Sequence, residues 1–414
     1  MNENFPVHAD RAHDVVVWGA TGFTGRLVAE YLQQNYAGHA RLKWAIAGRS
    51  RDKLEAVIAE IVGDGMPPDI IVADSNDAQS LLDMAAQTRV VLTTVGPYAL
   101  YGDKLVEACV QAGTDYCDLS GEVQWMRRMI DAHQAAAEAS GARIVHSCGF
   151  DSIPSDLGVQ FLQEHALDTT GHPCKRVELL VRAMRGGGSG GTIASALQAL
   201  KESSHDREVA RILADPYSLN PEGERSGPDG RDQHTIRYSE LGEVWTAPFV
   251  MALINNRNVR RSNALLDYPW GRDFSYGESI ACGSGPVGWS KAAAVAASVA
   301  GMVLAGSFDF TRENLVRRLV PKPGEGPSAA ERESGFFNLR LVGETADGGT
   351  LQARVTGDRD PGYGSTSKML AESAVCLAKD PRSTGGGIWT PASAMGPVLR
   401  ERLVKNAGLR FEIL

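Results

Sequence analysis

The sequence predicts an α/β protein, with a doubly wound parallel sheet in its first part and an α+β domain on a mixed or antiparallel sheet in its second. Three observations predict this arrangement. The β-branched run at 15–17 leads almost directly into the glycine-rich stretch GATGFTGR at 19–26. Strand-like and helical runs then alternate as far as residue 152, which is typical of βαβ units. Further on, a hairpin pattern at 335–357 is typical of antiparallel strands.

The first part of the chain contains six predicted strands separated by amphipathic helical runs. The strands lie at 15–17, 41–50, 70–74, 89–98, 114–121 and 143–152. The helical runs lie at 52–62, 78–87, 104–113 and 125–140. Because ligands of such sheets bind at the carboxyl ends of the strands, we expect the functional site at that edge.

The turn after the first strand suits a nucleotide pyrophosphate. Gly19 lets the chain turn sharply, Gly22 lets backbone N–H groups approach the phosphates, and Gly25 lets the helix pack on the sheet. The helix N-terminus adds unpaired donors and a partial positive charge. The predicted contacts in this turn are Gly19, Ala20, Thr21, Gly22, Phe23, Thr24 and Gly25. The spacing is a GxxGxxG variant of the usual fingerprint, so a strand, turn and helix without a ligand is the alternative.

The end of the second strand favours NADP(H) over NAD(H). An NAD site places a carboxylate here for the ribose hydroxyls, whereas this chain has Arg49. A guanidinium can bind a ribose 2′-phosphate through charge-assisted hydrogen bonds, and a solvated arginine at a strand end is the alternative. The predicted contacts at this and later strand ends are Arg49, Ser50 and Lys53, then Asp74 towards the adenine, and Thr94, Val95 and Gly96 towards the nicotinamide ribose.

Composition and charge restrict the class of protein. A chain of 414 residues, 43% of them hydrophobic, has the length of two or three domains with a well-filled core. The formal net charge of −8 gives no reason to expect nucleic acid as a partner. The six cysteines lack CxxC or zinc-ligand spacing, and the start MNENFPVHADRAHD is polar. We therefore expect a cytoplasmic protein with free thiols, no bound metal and no signal peptide.

The second part is predicted to have strands at 174–184 and 272–283 and a hairpin that turns near Asp347 and Gly348. An exposed edge of this hairpin could pair across a homodimer. A helix is predicted at 367–380, and we expect it to pack back on the first domain.

These patterns predict the domain limits. We expect a dinucleotide-binding domain of the Rossmann type at 1–150, completed by 363–414. We expect a substrate-binding or cap domain, with a possible role in dimerisation, at 151–362.

The motifs resemble those of the saccharopine dehydrogenase superfamily over essentially the whole chain, and within it the chain is most similar to the trans-acting enoyl reductases. The stretches that carry the resemblance are GATGFTGR (19–26), AGRS (47–50), TTVGPYALYG (93–102), GTDYCDLSGE (113–122), CGFDSIPSDLG (148–158), SGGTIASAL (189–197), VRRSNAL (259–265) and GGGIWTPASAMG (385–396). The resemblance implies NADP(H), an N-terminal domain completed by C-terminal segments, and a middle domain that covers the nicotinamide.

The resemblance also implies a reaction. This is NADPH-dependent reduction of an α,β-unsaturated acyl thioester, free or carrier-bound, in lipid biosynthesis with a polyketide synthase as partner. Two alternatives stay open. A saccharopine-type amino-acid dehydrogenase would need several basic groups converging on a polycarboxylate. A non-catalytic dinucleotide-binding scaffold at a membrane or lipid surface would keep the glycines without a productive active site.

The candidate catalytic residues are Tyr98, Tyr101 and Asp151. Either phenol could donate to the thioester carbonyl or the α-carbon, and a buried tyrosine bonded to backbone is the alternative. Asp151, with Ser152 and Asp156, lies where the chain leaves the sixth strand, and the superfamily has an acidic residue near the substrate in the corresponding motif. The alternative for this region is that Asp151 or Ser155 caps the next helix.

Three further stretches have an open role. The turn SGGT at 189–192 could offer N–H donors to a carbonyl or phosphate, or be an ordinary turn. The cluster Arg257, Arg260 and Arg261 could bind phosphates of coenzyme A or a carrier arm, or be a solvated face. Residues 292–308 carry no charge over a length near that of a membrane span, but their alanine and glycine content makes them only weakly hydrophobic, which favours a buried helix over peripheral contact with the inner face of a membrane.

Overall fold

The computed structural model describes residues 11–36, 42–63, 65–186, 190–307 and 326–414. The strands in this part of the chain are β1 (His13–Trp18), β2 (Trp44–Gly48), β3 (Asp69–Val72), β4 (Thr88–Thr93), β5 (Asp115–Cys117), β6 (Arg143–Val145), β7 (Arg176–Arg185), β8 (Arg237–Ser239), β9 (Val244–Pro248), β10 (Ser275–Gly283), β11 (Phe336–Glu344), β12 (Thr350–Gly357), β13 (Gly387–Trp389) and β14 (Arg410–Ile413).

The α-helices are α1 (Phe23–Tyr36), α2 (Arg51–Ile61), α3 (Ala78–Ala85), α4 (Tyr98–Tyr101), α5 (Asp103–Ala112), α6 (Val123–Ser140), α7 (Ile153–Thr170), α8 (Gly190–His205), α9 (Arg207–Ala214), α10 (Ala252–Leu265), α11 (Gly285–Ser307), α12 (Ala329–Glu333), α13 (Thr366–Lys379), α14 (Pro391–Ala394) and α15 (Gly396–Asn406). A π-helical turn at Pro361–Ser365 precedes α13.

The first sheet has seven strands in the order β13-β6-β5-β4-β1-β2-β3, and all its pairs are parallel. Val15 and Val17 of β1 face a core shared with α1 and α13, whereas Val16 faces a core shared with α3, α5 and α6. Helices cover both faces, so the central strand is continuously apolar. The chain order reverses between β1 and β4, which makes the carboxyl ends of these two strands the switch point where ligands bind.

The second sheet has seven strands in the order β14-β12-β11-β7-β10-β9-β8. β7 and β10 are parallel and the other neighbours are antiparallel, so the sheet is mixed and the predicted fold class is confirmed. The hairpin of β11 and β12 turns at Gly348, as predicted.

The expectation of an exposed hairpin edge is wrong. β12 pairs with β14 from Ala353 to Thr356, and β11 pairs with β7 along its length. Both edges of the hairpin are therefore occupied within one chain, and the hairpin offers no free strand to a second copy.

The C-terminal segment contributes to both sheets, because β13 extends the first and β14 the second. α13 packs beneath β1, β4 and β5. Its buried Glu372 accepts hydrogen bonds from the hydroxyls of Tyr31 (2.8 Å) and Tyr36 (2.6 Å), and Arg402 of α15 lies 3.2 Å away. This cluster ties α1 to the end of the chain.

The arginines of α10 form neither a phosphate site nor a solvated face. Arg257 pairs with Asp232 at 2.8 Å, and Arg260 pairs with Asp229 at 2.6 Å. Arg261 is buried and donates to two backbone carbonyl oxygens, one of them in β13. All three guanidinium groups are therefore used to attach α10 to its surroundings.

The helix over 292–308 is not buried, contrary to the prediction. The stretch Gly285–Ala305 of α11 has the length and composition to cross a membrane, yet only 11% of its most apolar window is buried. Trp289, Met302 and Leu304 are among its exposed side chains. Phe308, at the end of the predicted segment, lies outside the described residues.

Candidate active site

The residues predicted to bind the cofactor lie at the carboxyl ends of the parallel strands. Gly19 follows β1, and the loop from Thr94 to Gly96 follows β4. The two segments touch, because Thr94 Oγ1 donates to the Gly19 carbonyl oxygen at 3.4 Å and the Thr94 N–H donates to Trp18 at 3.2 Å. The structure therefore brings the turn predicted to bind the pyrophosphate and the loop predicted to face the nicotinamide ribose together at the switch point.

The glycine turn leaves no room for side chains. Gly19 has φ +88°, and a Cβ there would lie 2.5 Å from Val95 Cγ2. A Cβ on Gly25 would lie 2.2 Å from the Gly19 carbonyl oxygen, because α1 crosses so close to the turn. Gly22 is exposed and donates its N–H to Gly19 at 2.9 Å. This bare backbone, followed by the first-turn N–H groups of α1, fits a pyrophosphate.

Gly25→Ala is expected to destabilise the protein by about 3 kcal/mol, because the added Cβ displaces backbone and not a flexible side chain. NADPH binding is expected to weaken at the same time. Urea unfolding and a fluorescence titration with NADPH measure the two effects. Gly301→Ala is the control, since a Cβ at that helical position meets nothing within 4 Å. A Gly25→Ala protein with unchanged stability and affinity would contradict the close approach of α1.

At the adenine end, Arg49 is exposed just beyond β2 and has no hydrogen bond or ion pair to another residue of the described chain. Ser50 caps α2 by accepting the Lys53 N–H at 3.5 Å, and the Lys53 side chain is exposed. Asp74 accepts both the N–H (2.9 Å) and the side-chain amide (3.2 Å) of Asn76. Within the described chain, the side chains of Arg49 and Lys53 are therefore both uncommitted cations here, and Arg49 lies directly at the end of β2.

Tyr98 is buried, and its hydroxyl is fully engaged with backbone. It donates to the Thr93 carbonyl oxygen at 3.3 Å and accepts the Leu119 N–H at 3.1 Å, while the ring stacks on Trp125. Burial raises the pKa of this phenol well above its ordinary value. This is the geometry of a buried tyrosine bonded to backbone, so Tyr98 is not a candidate proton donor. Tyr101, one helical turn later, is 46% exposed.

Glu122 is a functional candidate for which the sequence analysis gave no role. Its carboxylate accepts the N–H groups of Tyr98 (2.7 Å) and Ala99 (2.9 Å) and the hydroxyl of Ser195 (2.6 Å). Burial raises the pKa of Glu122 despite these three donors. The available signal was a lone glutamate after a strand-end glycine, in DLSGE, directly before a helix.

Asp151 lies where the chain leaves β6, on the side of Gly121. A Cβ on Gly121 would be 3.9 Å from Asp151 Oδ2 and 3.8 Å from Ile254. The carboxyl has no hydrogen bond to another described residue, and burial raises its pKa to about 7. The residue as a whole is only partly buried. Its raised pKa therefore makes Asp151 a candidate general acid at the junction of the two sheets.

The neighbouring polar residues of this junction have structural partners. Neither Asp151 nor Ser155 caps α7, whose N-cap residue is Ser152 without a side-chain cap. Ser152 donates to Asn255 at 3.1 Å, and Asp156 is fully buried and accepts the Ala392 N–H at 2.8 Å. Asp156 thus fixes the C-terminal segment.

Comparison with known proteins identifies relatives over nearly the whole chain. Residues 15–145 match the family model of the saccharopine dehydrogenase NADP binding domain. The trans-acting enoyl reductase of Mycobacterium tuberculosis (strain ATCC 25618 / H37Rv) is 40% identical over 406 residues, covering 95% of this chain and 96% of that protein. A second protein of that strain, named provisionally for the same activity, is 44% identical over 408 residues with the same coverage, 95% and 96%. The trans-acting enoyl reductase of Mycobacterium leprae is 39% identical over 404 residues, again covering 95% and 96%.

A solved structure supports the fold. Apo saccharopine dehydrogenase (L-Glu forming) from Saccharomyces cerevisiae has a TM-score of 0.51 and 14% identity, covering 97% of this chain and 100% of that chain. The segment 15–145 that matches the NADP binding domain model spans most of β1 and extends to β6. The first sheet is therefore an NADP(H)-binding domain, and the predicted cofactor is confirmed.

Proposed function

We propose that this chain, which belongs to the trans-acting enoyl reductase family, uses NADPH to reduce the carbon–carbon double bond of an α,β-unsaturated acyl thioester. The observation that carries the proposal is the Asp151 carboxyl, which lies beside Gly121 beyond β5, has no hydrogen bond to another described residue and belongs to a residue that is only partly buried. A pKa of about 7 keeps much of this group protonated near neutral pH. An enoyl reduction needs such a proton source.

The reaction adds a hydride and a proton. Bound NADPH would supply the hydride, and its addition to the β-carbon of the substrate would leave an enolate of the thioester. Asp151 holds the proton and gives it to the α-carbon, which leaves the carboxylate to be reprotonated from water. The turn from Gly19 to Gly25 binds the pyrophosphate, and Arg49 binds the ribose phosphate. We assign exposed Tyr101 to the mouth of the site, as a contact for the substrate.

The proposal is tested by following NADPH absorbance with a panel of trans-2-enoyl thioesters of increasing acyl length, free and carrier-bound. Saccharopine-pathway substrates are the comparison. Turnover of an enoyl thioester supports the proposal. Tight NADPH binding without turnover, repeated with a carrier-bound substrate, would contradict it and favour a cofactor-binding scaffold.

The amino-acid dehydrogenase alternative has less support. It needs free basic groups in the cleft, and the arginines of α10 are held by Asp229, Asp232 and backbone carbonyl groups. The names of the mycobacterial relatives favour an enoyl substrate over an amino acid. We propose further that a polyketide synthase partner in lipid assembly carries the acyl substrate.

We also propose that α11 lies against a lipid surface, as would suit an enzyme with a long acyl substrate. Its exposed apolar side chains support this contact. Leu304→Glu is expected to reduce recovery of the protein with phosphatidylcholine vesicles on flotation. Val404→Glu is the control, because Val404 is an exposed apolar residue on α15. Equal recovery of both variants and the unmodified chain would contradict the contact.

A further inference from the structure

Helix α8 crosses from the second sheet to the cofactor edge of the first, and two hydrogen bonds hold its first turns there. Its first residue, Gly190, donates its N–H to the Tyr363 hydroxyl at 2.9 Å. One and a half turns later, Ser195 donates to Glu122 at 2.6 Å. None of the residues of α8 is fully buried, so these polar contacts contribute strongly to the position of its first turns, while nearer its C-terminal end Glu202 pairs with Arg128 at 3.3 Å.

Both contacts lead directly to the NADP(H) site. The Tyr363 ring packs edge-on against Phe23, at 4.8 Å between centroids, and Phe23 is the first residue of α1 after the pyrophosphate turn. Glu122 accepts the N–H groups of Tyr98 and Ala99, the first two residues of α4, which directly follows the loop after β4. One carboxylate therefore joins the nicotinamide loop to a helix of the other sheet. The turn at 189–192 was predicted to offer N–H donors to a ligand, but the Gly190 N–H donates to the Tyr363 hydroxyl instead. Ser189 lies outside the described residues.

We propose that α8 is a cover over the nicotinamide end of the site and that Glu122 is a positioning residue that couples its closure to the cofactor. Binding of NADP(H) stabilises the loop after β4 and with it the start of α4 at Tyr98 and Ala99, which fixes the Glu122 carboxylate. The fixed carboxylate then holds Ser195 and with it α8. The inference rests on the proposed function only in one respect, namely that the substrate covered by α8 is the acyl thioester.

Hydrogen exchange followed by mass spectrometry tests the coupling without turnover. In the unmodified protein, NADPH is expected to slow exchange both at 96–101 and at 190–205. In Ser195→Ala, NADPH should still slow exchange at 96–101, while exchange at 190–205 stays about tenfold or more faster, as loss of a hydrogen bond to a charged group implies. Ser195→Thr keeps a hydroxyl and is expected to restore the protection.

Ser203→Ala is the matched control, because Ser203 lies on α8 and donates only within the helix, to Leu200 at 3.0 Å. It should behave as the unmodified protein. Glu122→Gln cannot accept at both oxygens and is expected to lose protection in both segments. With a substrate in hand, Ser195→Ala should raise KM for the thioester and, because the coupling is reciprocal, also weaken the binding of NADPH.

Protection of 190–205 by NADPH that survives in Ser195→Ala would overturn the proposal, and so would its loss in Ser203→Ala. The exchange result does not depend on which substrate is reduced. If no enoyl thioester is turned over but Ser195→Ala uncouples the two segments, the proposed reaction fails and the coupling stands.

Discussion

Asp151→Asn is expected to lower kcat for an enoyl thioester by about 10²- to 10⁴-fold, the contribution typical of a general acid. Asparagine has nearly the shape of the protonated carboxyl but delivers no proton to the enolate. Because the Asp151 carboxyl has no hydrogen bond to another described residue, its replacement should leave the fold and the NADPH affinity intact. Steady-state kinetics, together with an NADPH titration, separates a loss of chemistry from a loss of binding.

The pH dependence of the unmodified enzyme follows from the same group. Burial raises the pKa of Asp151 to about 7, and the donor must be protonated, so kcat is expected to be highest below pH 7 and to fall above it. Asp151→Asn should remove this descending limb. Tyr101→Phe is the comparison: if it, and not Asp151→Asn, abolished turnover, the proton would come from the exposed phenol.

Local patterns were sufficient to predict the six strands β1 to β6 of the first sheet, but not its edge strand β13. Each strand from β1 to β6 is a short apolar run next to an amphipathic helix, and the glycine turn is read directly from three residues. Arg49 is identified in the same way, from its place at the end of β2. Features set by neighbours in sequence are therefore recovered from sequence.

Features set by distant neighbours were not recovered. Arg257 and Arg260 resemble a solvated face, because their partners Asp232 and Asp229 lie in a polar connection more than twenty residues away. The hairpin edge is covered by β14, a four-residue strand at the end of the chain.

The active-site candidates likewise divide into those that local sequence identifies and those that depend on residues distant in sequence. The Tyr98 hydroxyl bonds to Leu119, 21 residues later, so no local pattern separates a donor from a structural phenol. The positioning role of Glu122 becomes apparent only when the fold brings Ser195, 73 residues later, within hydrogen-bond distance of it. By contrast, Asp151 was identified by its place at the end of β6, where strand ends and domains meet.

Arg49→Asp is expected to weaken NADPH binding by about 10- to 150-fold, the equivalent of one or two charge-assisted hydrogen bonds, and to weaken NADH binding far less. The guanidinium is exposed beyond β2 and has no competing partner in the described chain, so its charge is available for the ribose 2′-phosphate. The new carboxylate repels that phosphate but can accept from the ribose hydroxyls of NADH. Titrations with both cofactors measure the ratio.

Arg51→Asp is the matched control for charge. Arg51 stands two residues later in the first turn of α2, where its guanidinium lies 3.9 Å from Glu55. If selectivity came only from a general positive potential, the two variants would lose NADPH affinity equally, since each changes the net charge by the same amount. If Arg49 binds the phosphate directly, its variant alone changes the ratio of the two affinities. Equal losses of NADPH and NADH affinity in Arg49→Asp would remove Arg49 from the phosphate site and leave the preference for NADP(H) to be sought in Ser50 and Lys53.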